Sequence, residues 1–396
     1  PDDNAETIFD NVNVADGGSL TNNGTESGNH LDVDQGGEYV NNGTSDWGTV
    51  NIDGNGENNG DLTITGDGDD STGDLVIGDG GSLVNNGDLI AGGDGTHNDT
   101  IVDGDLTNNG DSTFDDMDIT EGGHYHNTET GTDKGDNIHV SDGGKWTNDG
   151  NSDWGSVDID GDLDNTGDLT IGDGDDSTDD FHVGPGGSVT NDGKLDASDS
   201  GHTDIEGDFT TGKDGETIFD DVTVSDGGSL TNNGKEEGDS LVVEEGGRYE
   251  NNGDSSWNDV VINGGDIINT GDTEWGNVTI DGGHITVDSG TTDLGNVTMT
   301  SGTIVVGNTR PLDEANKAVA KWDSPKTIDV DIFVIGNGEL ALGKGADTFG
   351  TEMGAPVLPE GPARLTITTP IKVGQGTIAV GTGVYQDKEN HLDQAP

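Results

Sequence analysis

The sequence contains no cysteine, so no disulfide framework holds it together. It is also poor in basic residues: 14 Lys and Arg stand against 81 Asp and Glu, a formal net charge of -67. A protein that tracks a phosphate backbone needs a basic surface, and this one would repel nucleic acid. Hydrophobic residues make up only 27% of the chain, where an ordinary globular domain has roughly 45–50% apolar residues. No apolar run approaches the roughly 18 residues of a transmembrane helix. No basic segment precedes an apolar stretch in the manner of a secretory leader. The sequence begins at Pro1, which reads as a processed or excised segment. Low hydrophobicity with high net charge is, by itself, the composition of a disordered chain.

The placement of the few apolar residues argues against disorder. Phe9, Phe114 and Phe219 recur at a spacing of 105. Glu6 opens ETIFDNVNVADGGSLTNNG and Glu216 opens ETIFDDVTVSDGGSLTNNG, while Trp47, Trp154 and Trp257 follow the three phenylalanines. Three related blocks result, at about 5–110, 111–215 and 216–309. Within a block, apolar pairs alternate with polar residues: Val12/Val14, Leu31/Val33, Val50/Ile52, Leu62/Ile64, Leu75/Ile77, Leu89/Ala91 and Ile101 with Val102. Seven segments in 105 residues give a mean spacing of 15. Alternation bounded by Gly, Asn and Asp is a strand-and-turn signal. The tripeptide Asn-Asn-Gly recurs in the turns, as at Asn22, Asn41 and Asn85, which reads as positive-φ turn chemistry.

Strands this sparse do not suit a hairpin meander. They suit an all-β, repetitive β-solenoid, in which each coil adds short parallel strands at roughly 4.8 Å from the last. Such a fold needs only a thin inward column of Val, Ile and Leu, and Asn side chains stacked in register can form hydrogen-bonded ladders. The language changes at Arg310. Residues 310–396 hold 8 of the 14 basic residues, 12 of the 81 acidic residues and seven of the nine prolines. They read as a β-rich C-terminal module that caps the solenoid. Leu312–Trp322 reads as a short helix or cap, and strands are expected near Ile328–Ile335, Leu340–Leu342, Arg364–Val373 and Thr377–Val384.

The DGGSLTNNG-type coils, the lack of cysteine and GNGELALGKGADTF from Gly336 resemble the passenger domains of bacterial autotransporters (type V secretion) and related large adhesins. The resemblance covers most of the chain and rests on repeat style. It implies a right-handed parallel β-helix displayed outside the cell, with a β-rich C-terminal segment that assists folding. It carries over no catalytic residue. The 105-residue super-repeat and the extreme acidity depart from the family pattern.

Candidate chemistry is sparse. Asp67, Asp69 and Asp70 share one Gly-rich turn, and Asp173, Asp175 and Asp176 repeat it. Hard oxygen ligands on such a turn suit Ca²⁺, although neither an RTX nonapeptide nor an EF-hand loop is present. The alternative is a solvated acidic face screened by monovalent cations. His124 and His126 lie two apart and His139 follows; these read as exposed histidines rather than a transition-metal site. With 81 acids, a pair of carboxylates at glycosidase spacing can be found anywhere and carries no signal, so a polysaccharide-acting enzyme is the weakest reading. The three tryptophans read as core residues rather than a sugar-stacking platform. The expectation is an extracellular or cell-surface, cation-dependent structural or adhesive solenoid. Its partner would be a host surface, a glycan or a further copy of itself; the alternative is a self-assembling protomer of a surface layer, sheath or filament.

Overall fold

A computed structural model describes residues 6–65, 74–92, 99–172 and 181–306. Beyond these it describes the backbone of strands Ala318–Trp322, Lys326–Thr327, Asp329–Ile335, Gly338–Leu342, Arg364–Ile367 and Gln375–Gly381. The chain divides into two compact units, residues 1–201 and 202–396, and the division falls inside the second sequence block. Each unit is a parallel β-solenoid, and no helix occurs among the described residues.

One turn has three sides. Asn11–Val14 forms the first, Ser19–Asn22 the second, and residues 25–28 of the strand Thr25–Val33 the third. The rest of that strand starts the next turn. Every side stacks in register: Val12 pairs with Leu31, Leu20 with Tyr39, and Glu26 with Ser45. A turn takes 17 to 27 residues, counted from one second-side Asn to the next. The apolar segments are therefore not one per turn. Leu62/Ile64 and Leu89/Ala91 belong to the third side and the other pairs to the first.

Corner chemistry explains the glycines. The first side ends in Asp-Gly-Gly or a close variant, whose first Gly has positive φ, as at Gly17 (73°) and Gly36 (83°). A side chain there would strain the backbone. The second Gly serves close approach: a Cβ on Gly37 would lie 2.3 Å from the Val14 carbonyl oxygen one turn away. Asn-Asn-Gly works differently from the positive-φ expectation. Its Gly has ordinary φ, and a Cβ on Gly60 would meet the Gly43 carbonyl at 2.0 Å.

Its first Asn faces inward and is buried. In unit 1, Asn22, Asn41, Asn58, Asn85, Asn108, Asn127, Asn148, Asn165 and Asn191 form one continuous ladder. Each amide Nδ2 donates to the next Oδ1 at 2.7–3.0 Å. Backbone groups orient the amides. Asn22 Nδ2 also donates to the Thr44 carbonyl, and its Oδ1 accepts from the Gly24 N–H. Neither bond survives a flip. Unit 2 repeats the ladder through Asn232, Asn251 and Asn269, ending on Thr292 Oγ1. The second Asn faces out and runs the other way: Asn42 donates back to Asn23, Asn59 to Asn42, Asn86 to Asn59. Adjacent amide columns thus oppose their dipoles.

Past the compositional break, the strands of unit 2 keep the same parallel pairing. Gly290–Asp293 pairs with Ala318–Lys321, and Thr303–Val306 with Asp331–Val334. The segment expected as a helix is extended over Ala318–Trp322. Its β-branched and small residues continue the ladder in place of a helical face.

Candidate functional site

The inward positions of the third side form two columns. One holds Gly28 and Trp47, Gly135 and Trp154, Gly238 and Trp257 on successive turns. A Cβ on any of these glycines would lie 2.2–2.3 Å from the following indole. The gap left by the Gly lets a Phe one turn earlier reach the Trp. Phe9 stacks on Trp47 with centroids 5.9 Å apart and planes at 11°; Phe114–Trp154 and Phe219–Trp257 repeat this at 6.0 Å. The recurring Phe and Trp are thus one structural device spanning three turns. All three tryptophans are buried, so they offer no platform to a sugar.

The second column carries runs of polar side chains interrupted by leucines such as Leu62, Leu89 and Leu169. Its polar members are Glu26 and Ser45, then Ser112, Asp133 and Ser152 in unit 1, and Thr217, Glu236, Ser255, Thr273 and Thr292 in unit 2, all buried. Every block therefore hides one carboxyl two residues before the Trp-facing Gly. Glu26 Oε1 accepts from the Tyr39 hydroxyl at 2.8 Å and from Ser45 Oγ at 3.0 Å. Asp133 accepts from the Tyr125 hydroxyl at 2.5 Å and from Trp154 Nε1 at 3.0 Å. Around Glu236, the Tyr249 hydroxyl and Trp257 indole draw near, but neither carboxyl oxygen completes a well-aligned hydrogen bond. Burial raises Asp133 to about 7, partly offset by its Tyr125, Ser152 and Trp154 donors. Burial raises Glu236 to about 8. Both tyrosines, Tyr125 and Tyr249, are pushed well above the ordinary phenol range by burial and the neighbouring acid. These carboxyls are sealed inside the turns and suit a structural role.

Exposed chemistry lies on the outward positions. On the third side Asp61, Asp88 and Asp111 stand directly opposite one another on successive turns. Polar grooves follow the same side. One in unit 1, about 320 Å³, is lined by Thr132, Asn151, Asp153, Asp168 and Lys194 among others. One in unit 2, about 560 Å³, is lined by Lys235, Glu237, Asp254, Asp272 and Glu274 among others. Lysine relieves the repulsion in places: Lys235 Nζ lies 2.6 Å from Glu216 and 3.6 Å from Glu237.

On the first side of unit 1 the outward column alternates Asp118, His139, Asp158, His182. His139 Nδ1 lies 3.2 Å from Asp118 Oδ1. Its Nε2 lies 3.4 Å from Asp160 Oδ2 and 3.9 Å from Asp158 Oδ2. Asp158 Oδ1 meets His182 Nδ1 at 2.7 Å. One ligand atom each from His139, Asp158 and Asp160 lies within 4.8 Å of the other two, a separation that admits a metal ion.

Asp67, Asp69, Asp70, Asp173, Asp175 and Asp176 lie outside the described residues. His124 and His126 stack at 6.1 Å on a second-side strand, whereas His139 stands on the first side. Sequence reasoning missed the buried acids. Their signal is acid-x-Gly at one place in each block, Glu26-Ser27-Gly28, Asp133-Lys134-Gly135 and Glu236-Glu237-Gly238, hidden among 81 acids. No family model matches the chain, and no curated protein matches it.

Proposed function

We propose that this chain is a structural or adhesive β-solenoid of the cell surface whose stability depends on cations. What carries the reading is the in-register carboxylate ladder Asp61, Asp88, Asp111. Charges about 5 Å apart repel by roughly 0.8 kcal/mol even at bulk dielectric, and like charges directly opposite destabilise a sheet. Bound or condensed cations, Ca²⁺ being the hard-oxygen candidate, offset this. The large aromatics described in the repeats serve packing, and the polar grooves of the third side are the faces left for a glycan or host-surface partner.

The test is thermal unfolding by circular dichroism in millimolar CaCl₂ against NaCl of equal ionic strength. A melting temperature raised by Ca²⁺ beyond the NaCl control supports the reading; equal melting temperatures remove specific divalent dependence. Sedimentation of the same samples addresses the filament alternative, since heterologous contacts that do not close propagate. Long assemblies favour the protomer of a layer or sheath, and monomers favour the adhesin.

A further inference from the structure

We propose that His139, Asp158 and Asp160 form a transition-metal site of the zinc class, with Asp118 as the group that orients the imidazole. The inference is independent of Ca²⁺ and of the adhesive reading.

The argument begins with lone pairs. Asp118 Oδ1 lies against His139 Nδ1 at 3.2 Å. A carboxylate can only accept, so Nδ1 carries the proton of that contact. In the neutral imidazole, Nε2 then presents a lone pair. That lone pair faces the carboxylate oxygens of Asp160 at 3.4 Å and Asp158 at 3.9 Å. Three acceptors facing one another leave a place between them that suits a cation.

The separations suit the metal. Ligands bound at about 2.0–2.1 Å in a tetrahedron stand roughly 3.3–3.4 Å apart, which matches His139–Asp160 at 3.4 Å, while Asp158, at 3.9 Å, would draw in by about 0.5 Å on the metal. A carboxylate on the distal ring nitrogen is the usual outer partner of a metal-bound histidine: it sets the tautomer and raises the basicity of the ligand. The Asp160 carboxylate is accommodated by a missing side chain. A Cβ on Gly184 would lie 2.0 Å from Asp160 Oδ1, so the next turn keeps that space open. The fold places all four groups. His139, Asp118 and Asp158 share one outward column on adjacent turns, and Asp160 follows two residues after Asp158 at the corner. A water would fill the fourth position, the half-exposed site being open to solvent. His182, held on the other Asp158 oxygen at 2.7 Å, steadies that carboxylate.

The test uses the full, tag-free chain at pH 7.5 with Co²⁺ as the spectroscopic probe and Zn²⁺ as competitor. One equivalent of Co²⁺ giving intense visible bands of a tetrahedral centre, displaced by Zn²⁺ but not by millimolar Ca²⁺, is the expected result. His139→Gln should weaken that equivalent at least tenfold with an unchanged circular dichroism spectrum. Asp118→Asn should weaken it by about tenfold, the usual effect of losing an outer-shell partner, while His126→Gln leaves it unchanged. Weak octahedral bands, displacement by Ca²⁺, or a His139→Gln curve that matches the parent would overturn the site. Ca²⁺-independent melting with intact Co²⁺ binding would defeat the cation-dependent reading above while sparing this one.

Discussion

The first and third blocks build the same buried acid with opposite success. Glu26 and Glu236 each lie 13 residues before a Tyr and 19 before a Ser, at Tyr39 and Ser45 or at Tyr249 and Ser255. In the first block the Ser hydroxyl bonds the acid and accepts from the Tyr, closing a network around Glu26. In the third block Ser255 Oγ is taken by the indole of Trp275 at 3.1 Å. The difference lies one turn further on. Trp47 is followed in its column by Ile64, whereas Trp257 is followed by Trp275. The extra indole adds apolar packing and fills the lone pair that in Ser45 accepts from the Tyr, so Ser255 turns and its O–H makes no bond to Glu236; a buried acid without such a donor favours its protonated form, which avoids the cost of a bare charge. A repeat can thus keep its sequence signature while a neighbour rewires its interior.

The most direct way to break this comparison is pH, with an effect on the order of 4 kcal/mol at each raised acid. Between its unfolded value and its raised folded value, such a group keeps a proton in the folded chain that the unfolded chain has released. Stability therefore falls as pH rises from about 4 through about 7 for Asp133 and about 8 for Glu236, and then levels. Urea denaturation from pH 4 to 9 should show this decline. Glu236→Gln should roughly halve the slope below pH 7 and abolish the decline between about 7 and 8, whereas Asp133→Asn should roughly halve the slope below pH 7 and leave the decline above it. An unaltered slope in both variants would mean that neither acid holds its proton in the fold.

Steric release comes next. Gly238→Val places a Cβ where the Trp257 ring already stands and should cost about 3 kcal/mol. The lost Phe219–Trp257 stack should show in near-ultraviolet circular dichroism. Wild-type near-ultraviolet signal in a stable variant would disprove the sandwich.

Trp275→Ile sharpens the comparison by recreating the first block's neighbour. Freed Ser255 should turn to Glu236, with a gain for that acid of about 1 kcal/mol. The readout is the pH at which stability declines, which should move down, whatever cavity the smaller residue leaves. A last pair of substitutions separates the two amide columns, and one of them has the smallest effect of all. Asn86→Ala on the exposed column should stay within about 0.5 kcal/mol of the parent. Asn85→Ala, which orphans groups in the buried one, should cost about 2 kcal/mol. Equal midpoints in urea would show that the inner ladder carries no special weight.

Much of the fold was legible because the solenoid repeats its own local rules. Val12/Val14 and Leu31/Val33 alternate in sequence and stack in space, and the Asn of Asn-Asn-Gly forms the ladder that stacked strands permit. The count of strands per turn was not legible, since Leu62/Ile64 on the third side has the same pattern as Val50/Ile52 on the first. The site was legible only in fragments. His139 was visible as a residue, but nothing local tells that Asp118 and Asp158, 21 residues before and 19 after it, stand on the flanking turns.

The sequence by itself determined the 105-residue block, the parallel solenoid and the Asp-Gly-Gly corners. These follow from short-range sterics and from a repeat that every turn obeys. Only the tertiary structure decided which acids face in and which histidine meets carboxylates. In a chain with 81 acids, an inward Asp or Glu looks the same in sequence as the many that face out. What distinguishes Asp133 from Asp153 is a half-turn of the strand, one side of the sheet pointing to Tyr125 and Trp154 and the other to water.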